Sequence, residues 1–266
     1  MTFEERIAIV TGASSGIGAA VALDLARRGA RVVAVARRPD RLAATVERCR
    51  AHSPESVAQA ADVSSREACE QVVEATEARF GRVDILVNNA GISVHKHAVS
   101  TRGDEIERVM AVNFFGPVHL TMAALPGMLE RAAGSIVNVT SVAGYVPNPG
   151  ESAYGASKAA LSRWSHGLAV DLHGTGVQVG VLSPGPIDTE IWSLDEELSY
   201  HGRLHPPEVV AAGVARMIER GHTHQTVPRR YGAVGALYPL LGRPMRWGLR
   251  RYEARAERDR RRGPAA

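Results

Sequence analysis

Lysine is almost missing from this chain. Of 32 Lys plus Arg, two are lysine, Lys96 and Lys158, and the other 30 are arginine. A compact, rotatable point charge, which a planar guanidinium fork does not replace, is thus kept at two places. One of them stands four residues after a tyrosine. Cysteine is equally scarce. Cys49 and Cys69 lie far apart with no C-x-x-C spacing, which excludes a disulfide framework or a cysteine metal site. They read as free thiols of a reducing compartment. No run of 18 or more apolar residues occurs, so no membrane-spanning helix is expected. The acidic start, Met1-Thr2-Phe3-Glu4-Glu5-Arg6, runs straight into a strand-like segment. It shows no signal peptide, and the expected location is cytoplasmic.

Net positive charge is also missing from most of the chain. The net charge is +4, but residues 243–262 hold nine Arg against three acids, a local +6, which leaves −2 for the rest. The body is therefore not a basic nucleic-acid binder. A length of 266 residues with 45% hydrophobic and 23% charged content suits one α/β domain with a substantial core.

What is present falls into strand–turn–helix units. Ile7 to Val10 is a short apolar strand, followed at once by Thr11-Gly12-Ala13-Ser14-Ser15-Gly16-Ile17-Gly18 and a helix ending at Gly29. Glycines permit a tight turn and close backbone approach, and a helix N-terminus offers free N–H groups to a pyrophosphate. Arg31 to Ala36 is the next strand. Where a carboxylate would bind the adenosine ribose of NAD, the chain has Arg37-Arg38, which suits the 2′-phosphate of NADP. A helix follows from Pro39 to about His52. A short strand ends at Ala61-Asp62-Val63, and Asp62 either meets an adenine amino group or caps the next helix, Ser65 to Phe80. Val83 to Val87 is a buried strand ending in Asn88-Asn89-Ala90-Gly91.

A long helical region from about Thr101 to Ala132 carries Asn113 among apolar neighbours. A buried Asn needs partners, so it is a structural bridge or part of a polar relay. Ser135 to Thr140 is a fifth strand with Ser141 at its end. Tyr154 and Lys158 then share one face of a helix, an ammonium beside a phenol, which predicts a lowered phenol pKa. Val177 to Leu182 is a sixth strand, closed by Pro184-Gly185-Pro186-Ile187-Asp188-Thr189. Every candidate thus lies at the carboxyl end of a strand or on a helix just after one, the ligand-binding edge of open parallel sheets.

Taken together, Thr11-Gly12-x-x-x-Gly16-x-Gly18, Asp62, Asn88-Asn89-Ala90-Gly91, Asn113, Ser141, Tyr154-x-x-x-Lys158 and Pro184-Gly185 with Thr189 resemble the short-chain dehydrogenase/reductase family in its compact single-domain form, over residues 6 to about 190. The resemblance implies a doubly wound, Rossmann-like parallel sheet of about seven strands with helices on both faces. It implies a nicotinamide-dependent oxidoreductase, a small carbonyl or alcohol substrate, and a homo-oligomer, dimer or tetramer. Tyr154 would be the general acid/base, and Lys158 would lower its pKa and hold the nicotinamide ribose. Ser141 would hold the substrate oxygen, and Asn113 a water linked to Lys158. The cofactor would lie along Gly12, Ser14, Ser15, Gly16, Ile17, Gly18, Arg37, Arg38, Asp62, Val63, Asn89, Ala90, Gly91, Pro184, Gly185, Ile187 and Thr189, with NADP(H) favoured over NAD(H). Ser15 departs from NADP-preferring relatives, which often carry Lys or Arg there, and leaves the 2′-phosphate to Arg37 and Arg38.

The expected substrate walls, Val94, Val142, Tyr145, Val146 and Trp192, are mainly apolar, which predicts a hydrophobic ketone or secondary alcohol. A ketoacyl-carrier-protein reductase is the rival enzyme, with Arg102, Arg203 and the tail as basic entrance. A non-catalytic nucleotide-binding scaffold is the rival of another class. The chain divides into a catalytic domain, 1–229, with a lid at about 190–205, and a basic, partly helical extension, 230–266. Met245, Leu249, Tyr252 and Ala256 share one face of that extension. A basic amphipathic helix lies on an anionic membrane, docks on another subunit or stays solvated, and all three stay open. The pairs His95/His97 and His222/His224 lack further His or Cys at metal spacing, so they read as satisfied or exposed histidines and no metal is expected.

Overall fold

Apolar residues of the strands alternate between two separate cores. Ala8 and Val10 of the first strand enter one core and Ile9 the other; Val32, Ala34 and Ala36 oppose Val33 and Val35 in the second. Successive side chains of a strand point to opposite faces, so two buried faces require a sheet covered on both sides. The computed structural model describes residues 3–192 (of Trp192, the backbone only), residues 203–233, and residues 237, 238, 241, 242, 244, 247, 248 and 251.

Among the described residues the strands are β1 (Ile7–Thr11), β2 (Arg31–Ala36), β3 (Val57–Ala60), β4 (Ile85–Asn88), β5 (Gly134–Val139), β6 (Val177–Pro184) and β7 (His224–Val227). They form one sheet in the order β3-β2-β1-β4-β5-β6-β7, and every pair is parallel. The helices are α1 (Gly16–Arg27), α2 (Pro39–Arg50), α3 (Arg66–Phe80), α4 (Gly103–Met110), α5 (Gly116–Glu130), α6 (Ser152–Asp171) and α7 (Glu208–Arg220). One core holds residues of α1, α2 and α7, and the other those of α3 and α5. This is the doubly wound, Rossmann-like arrangement expected from the sequence, and its first six strands follow the 3-2-1-4-5-6 order of dinucleotide-binding folds.

The differences are local. β3 stops at Ala60, so Asp62 and Val63 lie past its end. β6 runs on through Ser183 to Pro184, and β4 begins at Ile85 and takes in Asn88. β7 is an edge strand, His-Gln-Thr-Val, too short and polar to show a period of its own. The long helix is three pieces end to end: α4, a π-helical turn Ala111–Phe115, and α5. The span Gly103–Glu130 is long and apolar enough by composition to cross a membrane, contrary to the count of unbroken apolar residues. Half of its most apolar window is buried, where α5 packs against α3, β4 and β5, and the sheet accounts for that apolar character.

Candidate functional site

The site is built where the loops after β1, β4, β5 and β6 converge. Thr11, the last residue of β1, accepts hydrogen bonds at its hydroxyl from the backbone N–H groups of Asn89 and Ala90 (both 3.0 Å). The Asn89 amide donates in return to the Thr11 carbonyl (2.9 Å). The Gly-rich turn and the Asn88–Gly91 loop are therefore one unit. Gly12 has a φ of +68°, and a Cβ there would stand 2.8 Å from the Asn89 amide nitrogen. Glycine is required on both counts. α1 begins at Gly16 with no acidic residue in its first turn, and the Ser15 hydroxyl does not cap it. The N–H groups and positive dipole end of such a helix suit an anion. A Cβ on Gly16 would be 2.9 Å from Thr189 Cγ2, so the segment after β6 closes onto the same turn. These residues fit a dinucleotide.

Arg37 lies 4.0 Å from Asp62, and both are half-exposed. Arg38 reaches across the turn, its Nη2 donating to the hydroxyls of Ser14 (3.2 Å) and Ser15 (3.0 Å). The Ser15 hydroxyl thus receives a guanidinium, although it carries no charge itself. Asp62 accepts from the N–H (3.0 Å) and hydroxyl (2.8 Å) of Ser64. α3 is capped instead by Ser65, which accepts from the Ala68 N–H (3.1 Å), so Asp62 is not the helix cap. Burial raises the Asp62 carboxyl, but the two Ser64 bonds, Arg37 and Arg108 outweigh it and hold it below the ordinary value. Val63 is buried behind it.

Tyr154 and Lys158 lie on successive turns of α6, as their spacing requires. α6 buries Ala153, Ser157, Lys158, Leu161, Ser162 and Ser165, which carries Lys158 into the interior at 3% exposure. Its ammonium donates to the Val139 carbonyl at the end of β5 (3.0 Å) and lies 5.8 Å from the Tyr154 ring centroid. Burial pushes the Lys158 ammonium down to about 8. Tyr154 differs from the sequence expectation. Burial and then the Glu151 carboxylate push its phenol up, and the hydrogen bond from the Ser141 side pulls it down by less.

Ser141 has extended backbone and accepts from the Ala143 N–H (3.1 Å), opening the short turn Val142–Gly144. Asn113 is fully buried inside the π-helical turn. Its oxygen accepts from the Ile92 N–H (2.9 Å), and its amide donates to the Ile92 carbonyl (2.9 Å) and the Ser157 hydroxyl (3.0 Å). It is a structural bridge between the β4 loop and α6. Ile187 is buried and pairs with His205, while Thr189 is half-buried near its carbonyl (3.5 Å). Val94, Val142 and Val146 are half-buried. Tyr145 directs its hydroxyl to Ser162 (3.0 Å) and Ser183 (3.1 Å), so only its ring remains for a pocket wall. The side chain of Trp192, residues 193–202 of the lid, and Met245, Leu249, Tyr252 and Ala256 lie outside the described residues.

Three features had no sequence signal. Glu151 is buried beside Tyr154, bonded to Asn148 (2.8 Å) and to His95 (3.2 Å). His95 is thereby a buried histidine with partners, as expected, and His224 meets His166 at 3.2 Å. Asn138 of β5 accepts from Asn88 (2.8 Å) and donates to Ser165 (2.7 Å), a polar ladder through the core. Beyond residue 229, contacts continue: Arg230 reaches His205 (2.8 Å), and the Tyr231 ring fills the space where a Cβ of Gly185 would stand (2.6 Å).

The profile of the short chain dehydrogenase family matches residues 6–198. A short chain dehydrogenase of Pseudocercospora fijiensis is 40% identical over 73% of this chain and 63% of its own length, so the match leaves over a third of that relative uncovered. An uncharacterized oxidoreductase of Staphylococcus saprophyticus is 34% identical over 83% of this chain and 94% of its own. Among solved structures, a short chain dehydrogenase/reductase from Burkholderia phymatum in complex with NAD has a TM-score of 0.83 at 27% identity, over 91% of this chain and 95% of that one. A 3-ketoacyl-(acyl-carrier-protein) reductase from Brucella melitensis complexed with NADH has a TM-score of 0.77 at 29% identity, over 85% and 97%. A metagenomic short-chain oxidoreductase in complex with NADP has a TM-score of 0.74 at 30% identity, over 85% and 97%.

Proposed function

The chain belongs to the short-chain dehydrogenase/reductase family, and from that premise we propose an NADP(H)-dependent oxidoreductase that interconverts an apolar ketone or aldehyde with its alcohol. The observation that carries this reading is the Tyr154 phenol, flanked by Ser141 and backed by Lys158, at the carboxyl edge of a parallel sheet. The nicotinamide supplies the hydride in reduction and accepts it in oxidation.

The chain's own residues do the rest. Ser141, whose hydroxyl can donate and accept, holds the substrate oxygen. Tyr154, pushed up by its enclosure, is in its acid form at neutral pH and gives its proton to that oxygen as negative charge develops there. The phenolate left behind is met by the Lys158 ammonium one helical turn away. Lys158 also holds the nicotinamide ribose, and Ile187 and Thr189 the carboxamide. Asn113 is a positioning residue that keeps the β4 loop and α6 in register. The Gly12–Gly18 turn with Ser14 and Ile17 takes the pyrophosphate, Asp62 and Val63 the adenine, and Asn89, Ala90, Gly91, Pro184 and Gly185 the surfaces between. Arg37 and Arg38 favour NADP(H).

Half-buried Val94, Val142 and Val146 support an apolar substrate. A carrier protein would demand a basic entrance, yet Arg102 is paired with Asp104 (2.8 Å), which favours a free small molecule. Exposed Phe115, Met122, Leu129 and Val170 support a homo-oligomer, dimer or tetramer. Tyr154→Phe should lower turnover by at least about 100-fold while NADPH still binds; undiminished turnover sinks the assignment. In a carbonyl panel, apolar ketones should be reduced ahead of sugars, and the reverse order removes the substrate reading.

A further inference from the structure

Glu190 is drawn to the rim of the Gly-rich turn by two arginines from the other end of the sequence. Its Oε2 accepts from Arg38 Nη1 (3.0 Å), 152 positions away, and its Oε1 is paired with Arg41 Nη1. The same Arg38 donates through Nη2 to the Ser14 and Ser15 hydroxyls (3.2 and 3.0 Å). Two guanidiniums and two hydroxyls thus form a cradle at the end of β2, and a carboxylate is seated in it. The Arg38 hydrogen bond, helped by Arg41, holds Glu190 below the ordinary carboxylate range. Glu190 is therefore an anion across the physiological range.

Guanidinium forks bind carboxylate and phosphate by the same geometry. A cradle that accepts a carboxylate from within the chain accepts a 2′-phosphate from a cofactor, but the two anions repel and share donors. Arg41, which has no place in the sequence expectation, brings a second guanidinium to Glu190 beside that of Arg38. We propose that Glu190 is a specificity-determining residue: its carboxylate occupies the Arg38/Arg41 cradle that receives the 2′-phosphate, and so restrains the preference for NADP(H) over NAD(H). NAD(H), which has no phosphate there, leaves Glu190 in place. NADP(H) displaces it. The proposal rests on the NADP(H) reading above.

The test is nucleotide binding by the full-length protein, by calorimetry at fixed ionic strength, for wild type, Glu190→Gln and Arg38→Ala, each with NADPH and NADH. Glu190 is exposed, so the isosteric change spares the fold. Glu190→Gln should bind NADPH about three- to tenfold more tightly, the scale expected for two exposed ion pairs, with NADH changed less than twofold. An unchanged NADPH affinity, or an equal change for both nucleotides, overturns the proposal. Arg38→Ala separates the two failures. If it weakens NADPH alone while Glu190→Gln does nothing, the cofactor reading stands and the role of Glu190 falls. If Arg38→Ala leaves NADPH unaffected, the cofactor reading falls and takes the proposal with it.

Discussion

Lys158 donates its buried ammonium to the carbonyl oxygen of Val139 at 3.0 Å, a neutral partner for a full charge. Burial lowers the lysine from 10.5 to about 8, so its charged form is disfavoured by folding. The sign follows directly. Below about pH 8 both states carry the charge and the cost is fully present. Between about 8 and 10.5 the unfolded chain binds the proton and the fold does not, so stability from this group rises with pH. Lys158→Met should therefore raise urea-unfolding stability at pH 7 by about 1–3 kcal/mol and flatten that rise, while turnover is lost. A variant less stable than wild type at pH 7 contradicts the account. Carbonyl reduction by wild type, which needs the ammonium, should decline as pH rises through about 8.

Gly91 separates two site residues. A Cβ there would stand 3.3 Å from Lys158 Nζ and 3.4 Å from Asn113 Oδ1. Both neighbours must give way by a small amount, and sub-ångström misplacement near a reacting centre is costly. Gly91→Val should lower kcat about 10–100-fold and change the urea midpoint little. Wild-type kcat in a folded Gly91→Val protein would show that the approach is incidental.

Asn138 holds the ladder from Ser165 to Asn88 and on to Thr121 (3.2 Å). Removing its amide strands buried groups on both sides, including an Asn88 whose oxygen has no partner among the described residues. Asn138→Ala should destabilise by about 2–4 kcal/mol. Asn138→Asp should also destabilise, because it replaces the donor to Ser165. A loss under about 0.5 kcal/mol for both would mean that the ladder adds nothing.

The Tyr231 ring packs on Gly185, beside the segment that carries Ile187 and Thr189. A chain ending at Arg229 should melt several degrees below one ending at Ala233, and should bind NADPH more weakly. Identical melting and binding would place the edge of the domain at 229.

The elements were legible because their signals are local. The apolar run of Arg31–Ala36, the Gly12–Gly18 spacing and the four-residue step from Tyr154 to Lys158 each need only neighbouring residues. Even so, β7 escaped, since four edge residues, His-Gln-Thr-Val, carry no usable period. Asp62 was readable as a bonding carboxylate, but its partner Ser64 and the true cap Ser65 differ from it by two and three positions, too little for composition to separate.

By itself, then, the sequence determined the strand–turn–helix units and the strand-end positions of the candidate residues, because apolar runs and motif spacing are properties of short stretches, and the doubly wound fold followed from the family resemblance that those motifs carry. Only the tertiary structure decided what those side chains do to one another. The seat of Glu190 on Arg38 joins residues 152 apart, and the Asn88–Asn138 bond joins residues 50 apart. The upward shift of Tyr154, against the expectation from Lys158, comes first from burial and then from the Glu151 carboxylate. Desolvation and long-range charge depend on what the folded chain brings around a group, and no local pattern encodes that.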